Sequence, residues 1–426
     1  MVFISYPIPV FIFNISYLVS NPLKPFKHAI ISCDMKYIVV CGDGMADYPL
    51  EERGNKTVLE LSDIPNINMI AKEGAMGELK TVPNGFEAGS DVANLSILGY
   101  DPKQYYTGRG PLEAYSIGVD LVEGDIAFRC NIITEENGII KDYSSGHITT
   151  PESTELIKQV SKSFDLGKFY PGVSYRHLFV YKGENSFTCT PPHDVVGQKV
   201  SDNLIKGKNA DILNKMMLDS KKIMMDHPVN KKRISEGKNP GNMIWLWGQG
   251  KKIPMEPFSQ KFGMKGGVIS AVDLIKGIGY GAKMKVIDVP GATGFIDTNY
   301  EGKADYAVNA LEDIDFVYIH VEAPDEAGHS GNLEMKIKAI EDLDKRVVGR
   351  LLDKLECKGF DYNISIVADH PTPIKLKTHV SDPVPFAVYS EKIHKDKTSC
   401  YSEKEGKKGR FGLINGSEFI GLLRKQ

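Results

Sequence analysis

Three neighbouring stretches decide the fold: FVYIHVEAPD (316–325), NLEMKIKAIEDLDKRVVGRLLDKL (332–355) and ISIVADH (364–370). The first and third are short runs of β-branched and apolar residues without polar alternation, the pattern of strands buried on both faces. Between them, Ile337, Ile340, Leu343, Val347, Leu351 and Leu355 recur at helical spacing with charges on the opposite side. Strand, amphipathic helix, strand is the unit of a parallel sheet covered by helices. YIVVCGDG (37–44) and PFAVYS (385–390) repeat the strand pattern, so the sheet extends across the chain. In such sheets ligands gather at the carboxyl ends of the strands.

At 426 residues the chain suggests two to three units of ordinary domain size. From about Gly118 to Lys265 the strand and helix patterns shorten and polar stretches separate them, which suggests an inserted domain. The division expected is a core of residues 36–118 and 266–426, an insert of 119–265, and an N-terminal extension of 1–34 outside the fold. That extension is apolar, but prolines interrupt it and no Lys or Arg precedes it, so it is read as an added segment or an early start codon rather than an anchor. Hydrophobic residues make up 42% and charged residues 25%, as in globular proteins. A net charge of −3 offers no basic surplus to hold nucleic acid or an anionic membrane. The six scattered cysteines form no C-x-x-C pair and are read as reduced thiols in a cytoplasmic protein. Oligomeric state, a homo-oligomer included, stays open.

The strand ends carry the chemistry. Asp43 follows the first run, Asp325 and His329 the second, and Asp369 with His370 the third; His379 lies on the loop beyond. Taken singly, each has an ordinary reading. Asp43 between glycines suits a turn, Asp369–His370 suits a helix cap, and Gly328 with Gly331 favours a tight turn around Asp325 and His329 over a regular helix. Together they are oxygen and nitrogen donors suited to Mn²⁺, Mg²⁺, Co²⁺ or Zn²⁺, and six such side chains suit two ions better than one. Paired ions stabilise the attacking and leaving oxygens of a phosphoryl displacement. In NGFEAGSDVANLSILGY (84–100), Ser90 heads a helical pattern, where free amides favour an anion. It is either a cap or a nucleophile. GIGYG (277–281) follows a helical pattern and reads as a helix end rather than a dinucleotide loop, and no P-loop motif is present. Trp245 and Trp247 read as core-facing and rim residues of one strand.

GDGMAD, AGSDVANLSILGYDP, TGRGPLEA, PDEAGHSG, VADH and THVSDPVPF resemble the archaeal-type cofactor-independent phosphoglycerate mutases of the alkaline phosphatase superfamily. The likeness runs from about Met35 to the C-terminus and includes FRCN, SSGHIT, GVSYRHL and WLWGQG of the insert. It implies an α/β fold, a mostly parallel, helix-flanked alkaline phosphatase-like core with an inserted smaller α/β domain. It implies that Asp325, His329 and His379 hold one divalent ion, that Asp43, Ser90, Asp369 and His370 hold the other, and that Ser90 becomes phosphoserine. The phosphoryl group would leave phosphoglycerate for Ser90 and return to the other hydroxyl of the retained glycerate, with no bisphosphoglycerate needed. Arg109, Arg129 and Arg176 would bind this small phosphorylated substrate, and His147 would carry a proton. A metal-dependent phosphohydrolase and a homoserine-kinase-like phosphotransferase share the same metal constellation and remain alternatives.

Overall fold

The computed structural model describes residues 35–426 apart from Asn185. The N-terminal extension lies outside the described residues. The strands in chain order are β1 (Lys36–Gly42), β2 (Ala75–Lys80), β3 (Asp125–Glu136), β4 (Ile139–Asp142), β5 (Gly167–Tyr170), β6 (Arg176–Lys182), β7 (Phe187–Thr188), β8 (Lys206–Gly207), β9 (Met243–Lys251), β10 (Gly266–Ile269), β11 (Lys285–Val286), β12 (Phe316–Val321), β13 (Tyr362–Ala368), β14 (Val384–Ser390) and β15 (Leu413–Asn415).

Eight of them form a sheet in the order β11-β10-β12-β1-β13-β14-β2-β15. Its middle is parallel: β1 pairs in parallel with both β12 and β13, and Ile38, Val39, Val40 and Cys41 are fully buried because helices cover both faces. Between β12 and β13 the chain passes through Leu333–Asp342, a π-helical segment Leu343–Gly349 and Arg350–Lys358. Ile340, Leu343, Val347, Leu351 and Leu355 of this crossover are buried, as their spacing requires, and Ile337 is half-buried.

PFAVYS does form a strand, but β14 is antiparallel to β13 and β2, contrary to the parallel expectation. The helix-free connection 369–383 starts and ends at the same edge of the sheet, with Val367 level with Phe386, so β14 runs back against β13.

The middle of the chain builds a separate antiparallel sheet, β4-β3-β6-β5 with β9 also paired to β3. Phe128, Phe179, Trp245, Leu213 and Met217 belong to its own apolar cluster. Shorter elements were expected here. Instead β3 spans 12 residues and the helix Ala210–Met225 spans 16. Arg129, which lines a polar cleft, and Asn131, which is buried and accepts from Trp247 Nε1, break the apolar run of β3, and this concealed its length. Among the described residues no helix is long and apolar enough to cross a membrane.

Candidate active site

The register of the large sheet assembles the site. Gly42 of β1 lies level with Val321 of β12 and Ala368 of β13, so the next residues, Asp43, Glu322 and Asp369, leave three adjacent strands together. Gly44 has φ +58, and a Cβ there would collide with the Asp325 carboxylate and the Thr372 hydroxyl. Only glycine lets the β1 turn lie this close to its neighbours. Its amide donates to Asp369 Oδ1 at 3.0 Å; the His370 amide donates to the same oxygen at 2.9 Å, and Asn94 Nδ2 donates to Oδ2 at 2.9 Å.

Asp325 and His329 lie on a helix, Ala323–Ser330, not in the tight turn expected from the glycines. Gly328 is helical and serves close packing: a Cβ there would stand 2.6 Å from Thr372 O. The helix ends at Gly331, φ +68. The four-residue spacing therefore brings His329 Nε2 to 3.2 Å from Asp325 Oδ2, and His379 Nε2 lies 3.5 Å from Asp325 Oδ1. The two imidazole Nε2 atoms are 2.9 Å apart, while His329 Nδ1 lies 3.0 Å from Lys377 O. With Nδ1 turned to that carbonyl, Nε2 is the ring atom that faces the Asp325 carboxylate and the second imidazole.

Ser90 occupies the first turn of the helix Ser90–Ile97, and Gly89 is its N-cap. Ser90 is therefore not the cap. Its Oγ lies 3.1 Å from His370 Nε2, which is 3.6 Å from Asp43 Oδ1 and 3.3 Å from Asp369 Oδ2. Asn94 Nδ2 also donates to Ser90 O at 2.9 Å and so ties the helix start to Asp369.

Burial and the neighbouring Asp369 and Asp325 carboxylates hold the Asp43 carboxyl well above its usual range, and its Oδ1 has no hydrogen-bond partner. Burial alone would raise Asp325 too, but hydrogen bonds from His329 and His379 take it well below the usual range. Its bond to Asp325 raises His329 to about 9, and burial lowers His370. Asp43 is thus the carboxyl of this cluster whose charge its neighbours disfavour. Asp43, Asp325 and His370, and separately Asp325, His329 and His379, offer donor atoms within 4.8 Å of one another. Carboxylate and imidazole donors around an orphaned buried oxygen fit divalent cations.

Beside the cluster opens a cleft of about 640 Å³ whose walls include Arg109, Arg129, Arg176 and His147. The four residues expected to meet the substrate therefore share one cavity. Arg109 Nε donates to Asp91 Oδ2 at 2.9 Å, and Tyr106 OH donates to the same oxygen at 2.6 Å. Arg129 pairs with Glu113 at 2.8 Å and stacks over Trp247 at 4.4 Å. Trp247 is not a rim residue: it is buried, like Trp245. Arg176 is exposed over Tyr175, and His147 is exposed with φ +50.

Sequence reasoning missed Asp91 and the buried set His320, Glu322 and Lys303. His320 interrupts the apolar run FVYIHV, and an imidazole in a strand covered on both faces must find a polar partner. That was the available signal.

A family model described as 2,3-bisphosphoglycerate-independent phosphoglycerate mutase matches residues 71–230, and one described as type I phosphodiesterase / nucleotide pyrophosphatase matches residues 206–381. A curated 2,3-bisphosphoglycerate-independent phosphoglycerate mutase of Methanosarcina mazei is 50% identical over 397 residues, covering 92% of this chain and 100% of the relative. The chain belongs to the 2,3-bisphosphoglycerate-independent phosphoglycerate mutase family. A mutase of Methanothermobacter thermautotrophicus is 52% identical over 393 residues, 91% of this chain and 97% of its own. Among solved structures, a Pyrococcus horikoshii protein superposes with TM-score 0.78 at 30% identity over 92% of this chain and 97% of that one. The cofactor-independent phosphoglycerate mutase of Thermoplasma acidophilum does so with TM-score 0.64 at 28% identity over 92% and 99%.

Proposed function

We propose that the chain interconverts 3-phosphoglycerate and 2-phosphoglycerate through a phosphoserine at Ser90, with two divalent cations in its cluster. The single observation that carries this is the Ser90 hydroxyl, at the head of a helix and 3.1 Å from His370 Nε2. Membership of the mutase family supports the substrate.

Asp325, His329 and His379 would hold one ion and Asp43, Ser90, Asp369 and His370 the other; Mn²⁺, Mg²⁺, Co²⁺ and Zn²⁺ all suit such donors. When bound, the ions neutralise the crowded carboxylates and lower the pKa of a serine hydroxyl. Arg109, Arg129 and Arg176 bind the phosphate and carboxylate through paired N–H groups. The Ser90 hydroxyl gives up its proton to solvent and Oγ attacks phosphorus; the Oγ–P bond forms, the bond to the glycerate oxygen breaks, and that oxygen takes up a proton. The glycerate turns without leaving, and its other hydroxyl attacks phosphorus and releases Ser90. His147 carries the proton between the two hydroxyls. The phosphoryl group comes from the substrate itself, so no bisphosphoglycerate is required.

Water must be kept out during the turn. The insert, residues 119–265, caps the core of 36–118 and 266–426 in this reading, and its Arg129, Arg176 and His147 line the cleft beside the core's Arg109. Free thiols at Cys41, Cys130, Cys189, Cys357 and Cys400 support a cytoplasmic location.

The test is incubation with 3-phosphoglycerate and Mn²⁺, following 2-phosphoglycerate and free phosphate together. Accumulation of 2-phosphoglycerate is expected. Release of phosphate as the main product would replace the mutase by a phosphohydrolase, and ATP-dependent phosphorylation of homoserine without mutase activity would replace it by a kinase.

A further inference from the structure

Beneath the cluster lies a line of buried charge that the proposed chemistry does not use. Lys303 and His320 are fully buried and Glu322 nearly so. Lys303 Nζ donates to Glu322 Oε2 at 2.6 Å and to the His320 carbonyl at 2.7 Å. Glu322 Oε1 accepts from Ser270 Oγ at 2.8 Å and from the Ala271 amide at 2.7 Å, and it stands 3.3 Å from His320 Nδ1. His320 Nε2 in turn stands 3.4 Å from Asp43 Oδ2 and 3.9 Å from Asp369 Oδ2, charge contacts rather than hydrogen bonds. The imidazole also stacks on Tyr318, 6.4 Å between centroids.

Burying Lys303 and Glu322 is costly, and an apolar pair of the same volume would fill the space at least as stably. What the charged pair achieves is orientation. Asp369 is held by three hydrogen bonds, from Gly44, His370 and Asn94. Asp43 has no comparable support: its Oδ1 lacks a hydrogen-bond partner, and the groups within ion-pair range of its oxygens are His370 and His320. His370 faces Ser90. That leaves His320 as the group behind Asp43.

We infer that His320 is a positioning residue, which Lys303 and Glu322 aim so that it holds the Asp43 carboxylate in the rotamer that faces the cations. The inference rests on the proposed metal centre but not on the mutase reaction, so the two can fail separately. It predicts a metal-binding phenotype in a residue that does not reach the cleft.

The test uses the full chain, with equilibrium dialysis against Mn²⁺ and 3-phosphoglycerate kinetics. Glutamine can place its amide nitrogen near the position of Nε2, whereas asparagine reaches only the position of Nδ1. His320→Gln should bind Mn²⁺ within about threefold of the parent, and His320→Asn at least about tenfold more weakly, the range seen when a group orienting a ligand is removed. Ser270→Ala, which leaves no buried charge unpaired, should shift Mn²⁺ affinity in the same direction by a few-fold. The KM for 3-phosphoglycerate at saturating Mn²⁺ should stay unchanged in all three. Equal Mn²⁺ affinity for the Gln and Asn variants would overturn the inference. So would the loss of one bound ion from His320→Asn at saturating Mn²⁺, because His320 would then be a ligand itself.

Discussion

Ser90 Oγ and His370 Nε2 are 3.1 Å apart although 280 positions separate them in the chain. The contact exists because the helix bearing Ser90 and the end of β13 are both tied to Asp369, one through Asn94 and the other through the His370 amide. A hydroxyl so placed has no capping role to perform. Ser90→Ala is therefore expected to keep the parent's thermal midpoint within about two degrees and to lose at least about 10³-fold in turnover. Steady-state mutase assays and a melting curve decide it; a variant with substantial activity would remove Ser90 from the reaction.

Chelation should abolish activity without dismantling the protein. Each of the two sheets has its own apolar cluster, and the proposed metal ligands lie beyond the strand ends rather than inside either one. Treatment with a chelator is expected to remove activity, to leave the far-ultraviolet circular dichroism essentially unchanged, and to be reversed by added Mn²⁺. Loss of the dichroism signal along with the ion would mean that the cluster holds the fold together.

The strand ends were legible in the sequence because β-branched runs stop at Gly or Asp, and a parallel sheet aligns those stops. Asp43 and Asp369 follow directly from this. The direction of β14 was not legible, since PFAVYS reads the same either way and only the helix-free loop before it sets its sense. The helix around Asp325 and His329 was concealed by Gly328, which looks like a breaker but makes room for Thr372. His320 was overlooked for a related reason. In a strand buried on both faces, one polar residue among five apolar ones is easily absorbed into the core pattern, and although strand alternation puts Glu322 on the same face, its partner Lys303 lies where sequence spacing indicates no contact.

Asp91 is expected to act through Arg109. It is buried beside Ser90, and it accepts from both Arg109 and Tyr106. Burial works against the Asp91 charge, yet the adjacent guanidinium keeps its carboxyl below the usual range. Asp91→Asn removes the charge that fixes Arg109 while leaving the volume intact. The KM for 3-phosphoglycerate should rise about tenfold, the loss of one charge-assisted hydrogen bond, with turnover changed much less. A fall in turnover at constant KM would place Asp91 in the chemical step instead.

His177 gives a stability signature at acid pH. It is buried on β6, its Nδ1 accepts from the Gly172 amide at 3.0 Å, and its Nε2 finds no partner. Burial lowers its pKa from 6.5 to about 3, so the folded protein keeps the ring neutral where the unfolded chain protonates it. Below pH 6.5 the unfolded state binds the extra proton, and stability falls as the pH drops from there toward 3. The slope is about 1.4 kcal/mol per pH unit, which makes about 2 kcal/mol at pH 5. His177→Asn retains an acceptor for Gly172 and cannot titrate. Urea unfolding at pH 7.5 and pH 5.0 should therefore show the parent losing about 2 kcal/mol more than the variant between the two conditions. Equal losses in both proteins would mean that the native state admits the proton, and with it water, at this position.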